Sequence, residues 1–364
     1  MNGIRIVLAT GLTMCLLAAS RADNVSDHQV AQVRPIQLGT SGGNLRDQSY
    51  AYCCSGTLGA LVCDPQGRLF ILSNNHVLAR TNRGHRGEPI TQPGLVDAEC
   101  VLSTNDTVAT LWKRRVVHFG GSTPNVVDCA LARILPGQVD TNGDMLGIGT
   151  VSQRSRAPRV GLAVKKSGRT TGVSEGVIAA VDVSLIVVYD RVCGVGNRRA
   201  LFIHQIRITP GGFGDFSEGG DSGSLVVEDV DSCPRAVGLL FAGGNSDTFA
   251  NPIARVLSRL NVSMVGCAAT SSVAVVPLAQ SAVAPQVSAE SIAACQFAKD
   301  SVEANLLKTP GVVGVGIGVS DSDPAQAVLE VYRTAEATNL TAALSQSIRS
   351  VPVKVILTGT IHAL

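Results

Sequence analysis

The sequence predicts a mainly β chain that ends in a small α+β unit, and three observations point there. Between residues 50 and 245 the apolar runs are short, rich in Val, Ile and Leu, and separated by Gly, Pro, Asn and Asp, as in closely spaced antiparallel strands. No amphipathic helix interrupts that span. After residue 290 the pattern becomes helix, strand, strand, helix, strand.

In chain order, Arg5 precedes the apolar run Ile6 to Ala19, and Ser20 and Ala22 place small residues where a signal peptidase reads. Residues 1–22 therefore read as a signal peptide, and the product as secreted or periplasmic. The run is too short to span a bilayer, and no other segment is long and apolar enough to do so. Residues 23–44 are polar and Gly-rich, either a short pro-segment or a strand that wraps the β unit that follows; the second is the expectation. Residues 23–265 form the main unit. Residues 266–289 are rich in Ala, Ser, Val and Pro and carry no charge, which marks a linker. Residues 290–364 form the second unit. In it, Ser291 to Lys308 places Ile292, Cys295, Ala298, Val302 and Leu306 on one helical face, and Thr309-Pro310-Gly311 ends the helix. Val312 to Val319 alternates with Gly314, Gly316 and Gly318, a strand with one face open to the close approach of a backbone or helix. It lacks the strand–turn–helix context of a nucleotide-binding loop. Ala327 to Tyr332 reads as a strand, Ala335 to Ile348 as a helix and Val351 to Leu357 as a final strand, with no catalytic constellation among them.

Composition narrows the function. Without residues 1–22 the chain loses Arg5 and Arg21 and no acid, so its 30 basic side chains fall to match its 28 acidic ones. No electrostatic footprint for nucleic acid or a membrane surface is left. An aromatic content of 4% also leaves few platforms for base stacking. Nine cysteines follow the leader, which in an exported chain predicts disulfides with at least one thiol left over. Cys193 and Cys233 flank the segment around Ser222 and are a candidate bridge. No Cys-x-x-Cys or His-x-x-x-His spacing occurs, so neither a metal site nor a cofactor is expected. His85, His118, His204 and His362 lack partner patterns and read as surface residues.

The chemistry concentrates at Gly220-Asp221-Ser222-Gly223, between the Gly-rich run 211–219 and the apolar strand Leu225-Val226-Val227. A serine on a tight turn, two residues after a glycine, lets the N–H groups of residues 220 and 222 converge on one point as an oxyanion hole. Upstream, Leu69 to Ser73 reads as a buried strand that delivers His76 in the polar turn Asn74-Asn75-His76. Asp128 is a single carboxylate in the apolar run Val126 to Ile134, and a buried carboxylate needs a hydrogen-bonding partner. His76 Nδ1–H supplies it in this reading. Ser222 is the nucleophile, His76 the base and then the acid, and Asp128 the group that orients the imidazole.

At these residues the chain resembles the chymotrypsin-like (trypsin-fold) serine proteases, bacterial branch. The order His76, Asp128, Ser222 matches. Cys54-Ser55-Gly56-Thr57-Leu58 resembles the strand that opens the first barrel, and Lys166 to Gly172 the start of the second. Gly238 to Gly243 resembles the strand lining the specificity pocket, and Asn251-Pro252-Ile253 with Ala254 to Leu260 the closing helix. The resemblance covers roughly residues 45–265 and implies two six-stranded antiparallel β-barrels, a cleft between them, hydrolysis through an acyl-enzyme, and an oxyanion hole from Gly220 and Ser222. There are departures. Val77 stands where many relatives carry a cysteine. No Ile-Val-Gly-Gly terminus is present to pair with Asp221, so an internal cation is expected there. Lys166 falls where the α-lytic-type enzymes place an arginine, and its alternative reading is a solvated surface lysine. Phe241 and Ala242 replace a usual Ser and Trp, and Phe216, flanked by Asp215 and Glu218, lies near the expected pocket floor.

The expected function is an exported serine endopeptidase acting on protein or peptide substrates. The alternatives are a non-cleaving binding protein on the same fold and an esterase using the same triad. Cleavage specificity and oligomeric state are not written in the sequence.

Overall fold

The computed structural model describes residues 24–268, 287–337 and 347–364. The leader, most of the expected linker and the core of the expected helix 335–348 lie outside the described residues; the described end of that helix is instead a strand, Ser347–Ile348, paired with Val351 and Pro352 across the turn at 349–350.

The first sheet contains Thr40–Asn44, Gly56–Leu58, Ala60–Cys63, Leu69–Ser73, Pro89–Thr91, Thr107–Arg114 and Ala130–Ile134. Gly56–Leu58 pairs with Thr40–Asn44, while Ala60–Cys63 pairs with Leu69–Ser73. These two short strands are halves of one run bent at Gly59, so the sheet curls back on itself as a six-stranded barrel. Only glycine fits at the bend: a Cβ on residue 59 would lie 2.0 Å from the Gly223 carbonyl oxygen. The second barrel against which this bend rests is closed. Ala163–Gly168 pairs with Gly172–Val192 on one side and Leu225–Glu228 on the other, and Ala236–Gly244, Asp247–Pro252 and Val195–Pro210 complete the ring.

Each core is aliphatic. Leu58, Leu61, Phe70, Leu72, Val108 and Leu131 belong to the buried cluster on the two faces of the first barrel's sheet. Val164, Ile178, Ile206, Ile208, Phe216 and Leu240 fill the second. Phe216 thus belongs to the barrel interior and is 1% exposed. The helix Ile253–Leu260 buries Ile253, Val256 and Leu260 on the first cluster, which also takes in Leu225 and Leu239. Residues 36–44 do wrap the first barrel: Ile36 and Leu38 are buried and bridge to Val139 and Met145.

The C-terminal segment does not form a sheet of its own. The hairpin of Gly172–Val192 and Val195–Pro210 has arms of 21 and 16 residues, and its outer part offers a free edge. Val312–Val319 pairs antiparallel to that edge at Val181↔Ile317 and Leu185↔Gly314, and Ala327–Arg333 and Val351–Leu357 follow. The helix Ala289–Leu306 covers this extension, burying Cys295, Ala298 and Leu306. The Gly face of 312–319 admits both a backbone and side chains: a Cβ on Gly314 would lie 2.9 Å from the Ser184 carbonyl oxygen, one on Gly316 2.5 Å from Tyr332 Oη, and one on Gly318 would meet the Glu330 carboxylate. Glu330 accepts hydrogen bonds from Tyr332 Oη (2.8 Å) and Arg207 Nη1 (3.0 Å), and Arg207 Nε donates to Asp247 (2.8 Å).

The disulfides correct one expectation. Cys193 pairs with Cys54, and Cys233 with Cys267, because the long hairpin carries Cys193 away from residue 233 to the first barrel. Cys53 pairs with Cys100. Among the described residues Cys63, Cys129 and Cys295 are free thiols.

Candidate active site

Strand pairing brings His76 and Asp128 together. Leu69–Ser73 ends opposite Ala130, in the register Ser73↔Ala130. The one-turn helix Asn75–Leu78 follows the first strand, and Asp128 precedes the second. His76 Nδ1 lies 2.7 Å from Asp128 Oδ2. The carboxylate is fully buried and its desolvation is offset by further donors: Asn75 N at 2.6 Å and Tyr189 Oη at 2.8 Å. Asn251 accepts from Asp128 N at 2.9 Å and fixes the backbone beneath it. Tyr189 also stands edge-on to the imidazole, ring centroids 5.7 Å apart. Burial, and then the Asp128 charge, push its phenol well above the usual range, so it remains a donor. The sequence carries no local signal for Tyr189, which sits inside the apolar run 183–189; only the path of the hairpin brings it here.

The serine turn is built on two left-handed glycines, Gly220 (φ +102°) and Gly223 (φ +97°). Neither tolerates a side chain. A Cβ would lie 2.5 Å from Thr170 Oγ1 at residue 220 and 2.1 Å from Ser73 Oγ at residue 223. The Gly220 carbonyl accepts from Thr57 Oγ1 (3.0 Å) and the Ser222 carbonyl from Thr57 N (2.8 Å). The N–H groups of Gly220 and Ser222 have no acceptor among the described residues.

Asp221 points away from the cleft into a buried nest. Thr170 N (2.8 Å), Thr171 Oγ1 (2.8 Å) and Glu218 N (3.0 Å) donate to its carboxylate. Lys166 Nζ is 3.6 Å from Asp221 Oδ2, and both side chains are fully buried. The ammonium also donates to Thr171 Oγ1 and to the Gly172 carbonyl (2.9 Å). The surface reading of Lys166 therefore fails: the lysine occupies the second barrel's interior beside the turn.

Ser222 is not hydrogen-bonded to His76. Its hydroxyl donates to the Phe241 carbonyl at 3.2 Å, and the residue is fully buried. His76 Nε2 instead faces the Leu364 carbonyl at 3.2 Å. Burial works against the imidazolium, but the Asp128 charge, its hydrogen bond and the Leu364 carbonyl outweigh it, and the His76 pKa is raised. A cleft of about 300 Å³ opens beside these groups, lined among others by His76, Arg169, Tyr189, Gly220 and Leu364. Of the remaining histidines, His85 and His118 are exposed, His204 bonds to Asp182, and His362 is exposed at the cleft mouth.

No protein-family model and no curated protein matches the chain. Among solved structures it is similar to Thermobifida fusca protease A, at 20% identity over 64% of this chain and 99% of that one, with a TM-score of 0.42. It is similar to the Nocardiopsis protease at 18% identity over 63% and 98%, TM-score 0.41. For Cellulomonas bogoriensis chymotrypsin the values are 21%, 64% and 99%, and 0.38. The strand order itself, two six-stranded antiparallel barrels with a cleft between them, gives the chain a trypsin-like fold.

Proposed function

We propose that the chain is an exported serine endopeptidase that cleaves peptide bonds through an acyl-enzyme, with residues 23–265 carrying the chemistry. One observation carries the reading: His76 is clamped through Nδ1 by a buried carboxylate, beside a serine turn whose two inner N–H groups have no acceptor among the described residues. The mechanism begins with a rotation of the Ser222 side chain from the Phe241 carbonyl to His76 Nε2. Ser222 Oγ attacks the substrate carbonyl and its proton passes to Nε2. Asp128 holds the Nδ1–H tautomer and steadies the cation, while Gly220 N and Ser222 N stabilise the oxyanion. His76 then returns the proton to the leaving amine, and water, activated by the same imidazole, releases the acyl group. Asp221 and Lys166 keep the turn in shape from behind. Three disulfides support folding in an oxidising compartment, in keeping with the expected leader.

A fluorophosphonate probe tests the reading. Wild type is expected to be labelled at Ser222, and Ser222→Ala and His76→Ala are not. Cleavage of casein, compared with a small activated ester, separates the endopeptidase from an esterase. Absence of labelling in the folded protein under every condition would return the chain to the non-cleaving binding class.

A further inference from the structure

The residues Ile361 to Leu364 run through the cleft as a peptide strand. Their backbone is wedged between the two walls of the second barrel's mouth. His362 and Ala363 pair antiparallel with Gly243 and Ala242, and His362 pairs parallel with Val188. Val188 N donates to the Ile361 carbonyl at 2.8 Å. Leu364 N lies 3.4 Å from the Phe241 carbonyl, the same oxygen that accepts from Ser222 Oγ. The Leu364 carbonyl stands 3.2 Å from His76 Nε2. The Leu364 side chain packs on the aliphatic cluster that includes Phe216 and Leu240.

Glycine marks the path. A Cβ on Gly243 would lie 2.9 Å from Leu364 Cδ1, and one on Gly244 would lie 2.7 Å from the Thr358 carbonyl. The strand 236–244 is therefore bare where the C-terminal residues cross it.

From this geometry we propose that the cleft takes extended peptides with a branched aliphatic residue immediately before the scissile bond, and that Ile361–Leu364 occupies it in that register as a built-in competitive inhibitor. The inference rests on the serine-nucleophile reading above. Two features of the docked state block turnover. Leu364 fills the place of the residue whose carbonyl would be attacked. Its carbonyl oxygen is an acceptor, so the facing Nε2 must carry a proton, and Nδ1 faces the Asp128 carboxylate. With both nitrogens committed, His76 has no lone pair for the Ser222 proton. The other groups that face His76, the Tyr189 phenol and the Asp47 carboxyl at the cleft wall, do not supply one to Ser222 either.

The test uses the full chain and its Leu364→Asp variant, which sets a carboxylate against the aliphatic cluster and expels the segment. The probe is a fluorophosphonate: Ser222 Oγ bonds to phosphorus, fluoride leaves, and the hydroxyl proton goes to His76. Labelling is expected to be about tenfold faster in the variant, given a tethered ligand at millimolar effective concentration. Amide exchange at Val188 is expected to accelerate, while exchange in the first barrel is unchanged and reports that the fold is intact. Synthetic Ile-His-Ala-Leu is expected to slow the variant's labelling, and a peptide panel to be cut after Leu at least tenfold faster than after Lys, Arg, Asp or Glu. Faster exchange at Val188 with unchanged Ser222 labelling overturns the inhibition and leaves the serine reading standing. Preferred cutting after a charged residue overturns the substrate class. No Ser222 labelling in either protein removes the serine reading, and this inference with it.

Discussion

Replacing Lys166 by Met tests whether a buried cation shapes the serine turn. Met keeps the unbranched stem and removes the ammonium. In the wild type that ammonium sits 3.6 Å from Asp221 Oδ2 with both side chains fully buried, so the variant leaves a carboxylate in the barrel interior without its cation. Removing one partner of a buried pair costs about 3–5 kcal/mol. Asp221 keeps Thr170 N, Thr171 Oγ1 and Glu218 N as donors, which places the expected loss near the lower end, at about 3 kcal/mol. With a urea m-value of about 2–3 kcal/mol/M, the unfolding midpoint falls by about 1–1.5 M. The assay is urea unfolding followed by circular dichroism, paired with fluorophosphonate labelling of Ser222, which is expected to slow as the turn relaxes. The double variant Lys166→Met, Asp221→Asn removes the stranded charge and is expected to recover more than half of the loss. A loss below about 1 kcal/mol with unchanged labelling would refute the argument, because a dispensable charge cannot be what holds the turn.

Tyr189→Phe deletes one donor to the Asp128 carboxylate, and a hydrogen bond to a charged group is worth about 1.5–3 kcal/mol; urea unfolding is expected to register that loss and Ser222 labelling to slow. Arg207→Met strands Asp247 and Glu330, whose carboxyls burial already holds above their usual range. Folded pKa values above the unfolded ones favour the protonated folded state, so its stability deficit is expected to be larger at pH 8 than at pH 5, as read by thermal melts at both. His76 has a raised pKa, so labelling is expected to rise with pH through a midpoint above about 6.5, and that midpoint to fall in Leu364→Asp, where expulsion of the segment takes its main-chain carbonyl away from Nε2. The linked stability has the opposite sign, present in full below the unfolded value and lost as pH climbs through the folded one; Asp47, pushed up to about 6 by burial, titrates nearby, and Asp47→Asn separates the two.

What the sequence discloses and what it hides divide along physical lines. The barrels are legible because alternating burial and turn residues are local signals, and the run Val312 to Val319 returns as a strand with those same ends. His76 is legible as a histidine in a polar turn at a strand end and Asp128 as the interruption of an apolar run, and their contact follows from one pairing, Ser73 with Ala130. Tyr189, the Cys54–Cys193 bridge and Leu364 at the cleft are not. Each depends on how far the 172–210 hairpin projects beyond the barrel and where its tip lands, and no residue pattern encodes a distance of that kind. Lys166 is legible in part: between Lys165 and Ser167 it reads equally as a solvated lysine or as the cation Asp221 needs, until pairing with both neighbouring strands turns its side chain inward.

One edge of the 172–192 strand explains why a C-terminal segment reaches a distant active site. That edge is filled in sequence by the 163–168 strand, by 312–319 and by His362, while the opposite end of the hairpin is tied to the first barrel through Cys193. Tyr189, one residue past the site of the last pairing, touches Asp128. The element that positions the base thus also docks the segment that occludes it. Only residues 358–360 separate the end of the Val351–Leu357 strand from Ile361, so the tethered peptide presents itself at an effective concentration of millimolar order. At about 1 mM, a segment with an intrinsic dissociation constant of about 0.1 mM leaves the cleft open roughly a tenth of the time, which sets the tenfold gain expected on its release. A contact of that modest strength suits a docked strand of two paired residues, with a 2.8 Å bond from Val188 N, a 3.4 Å approach to the Phe241 carbonyl, a 3.2 Å approach to His76 Nε2 and a single leucine on an aliphatic wall. A substrate offering the same leucine with more residues along the 236–244 strand outcompetes it, whereas a short or charged peptide does not.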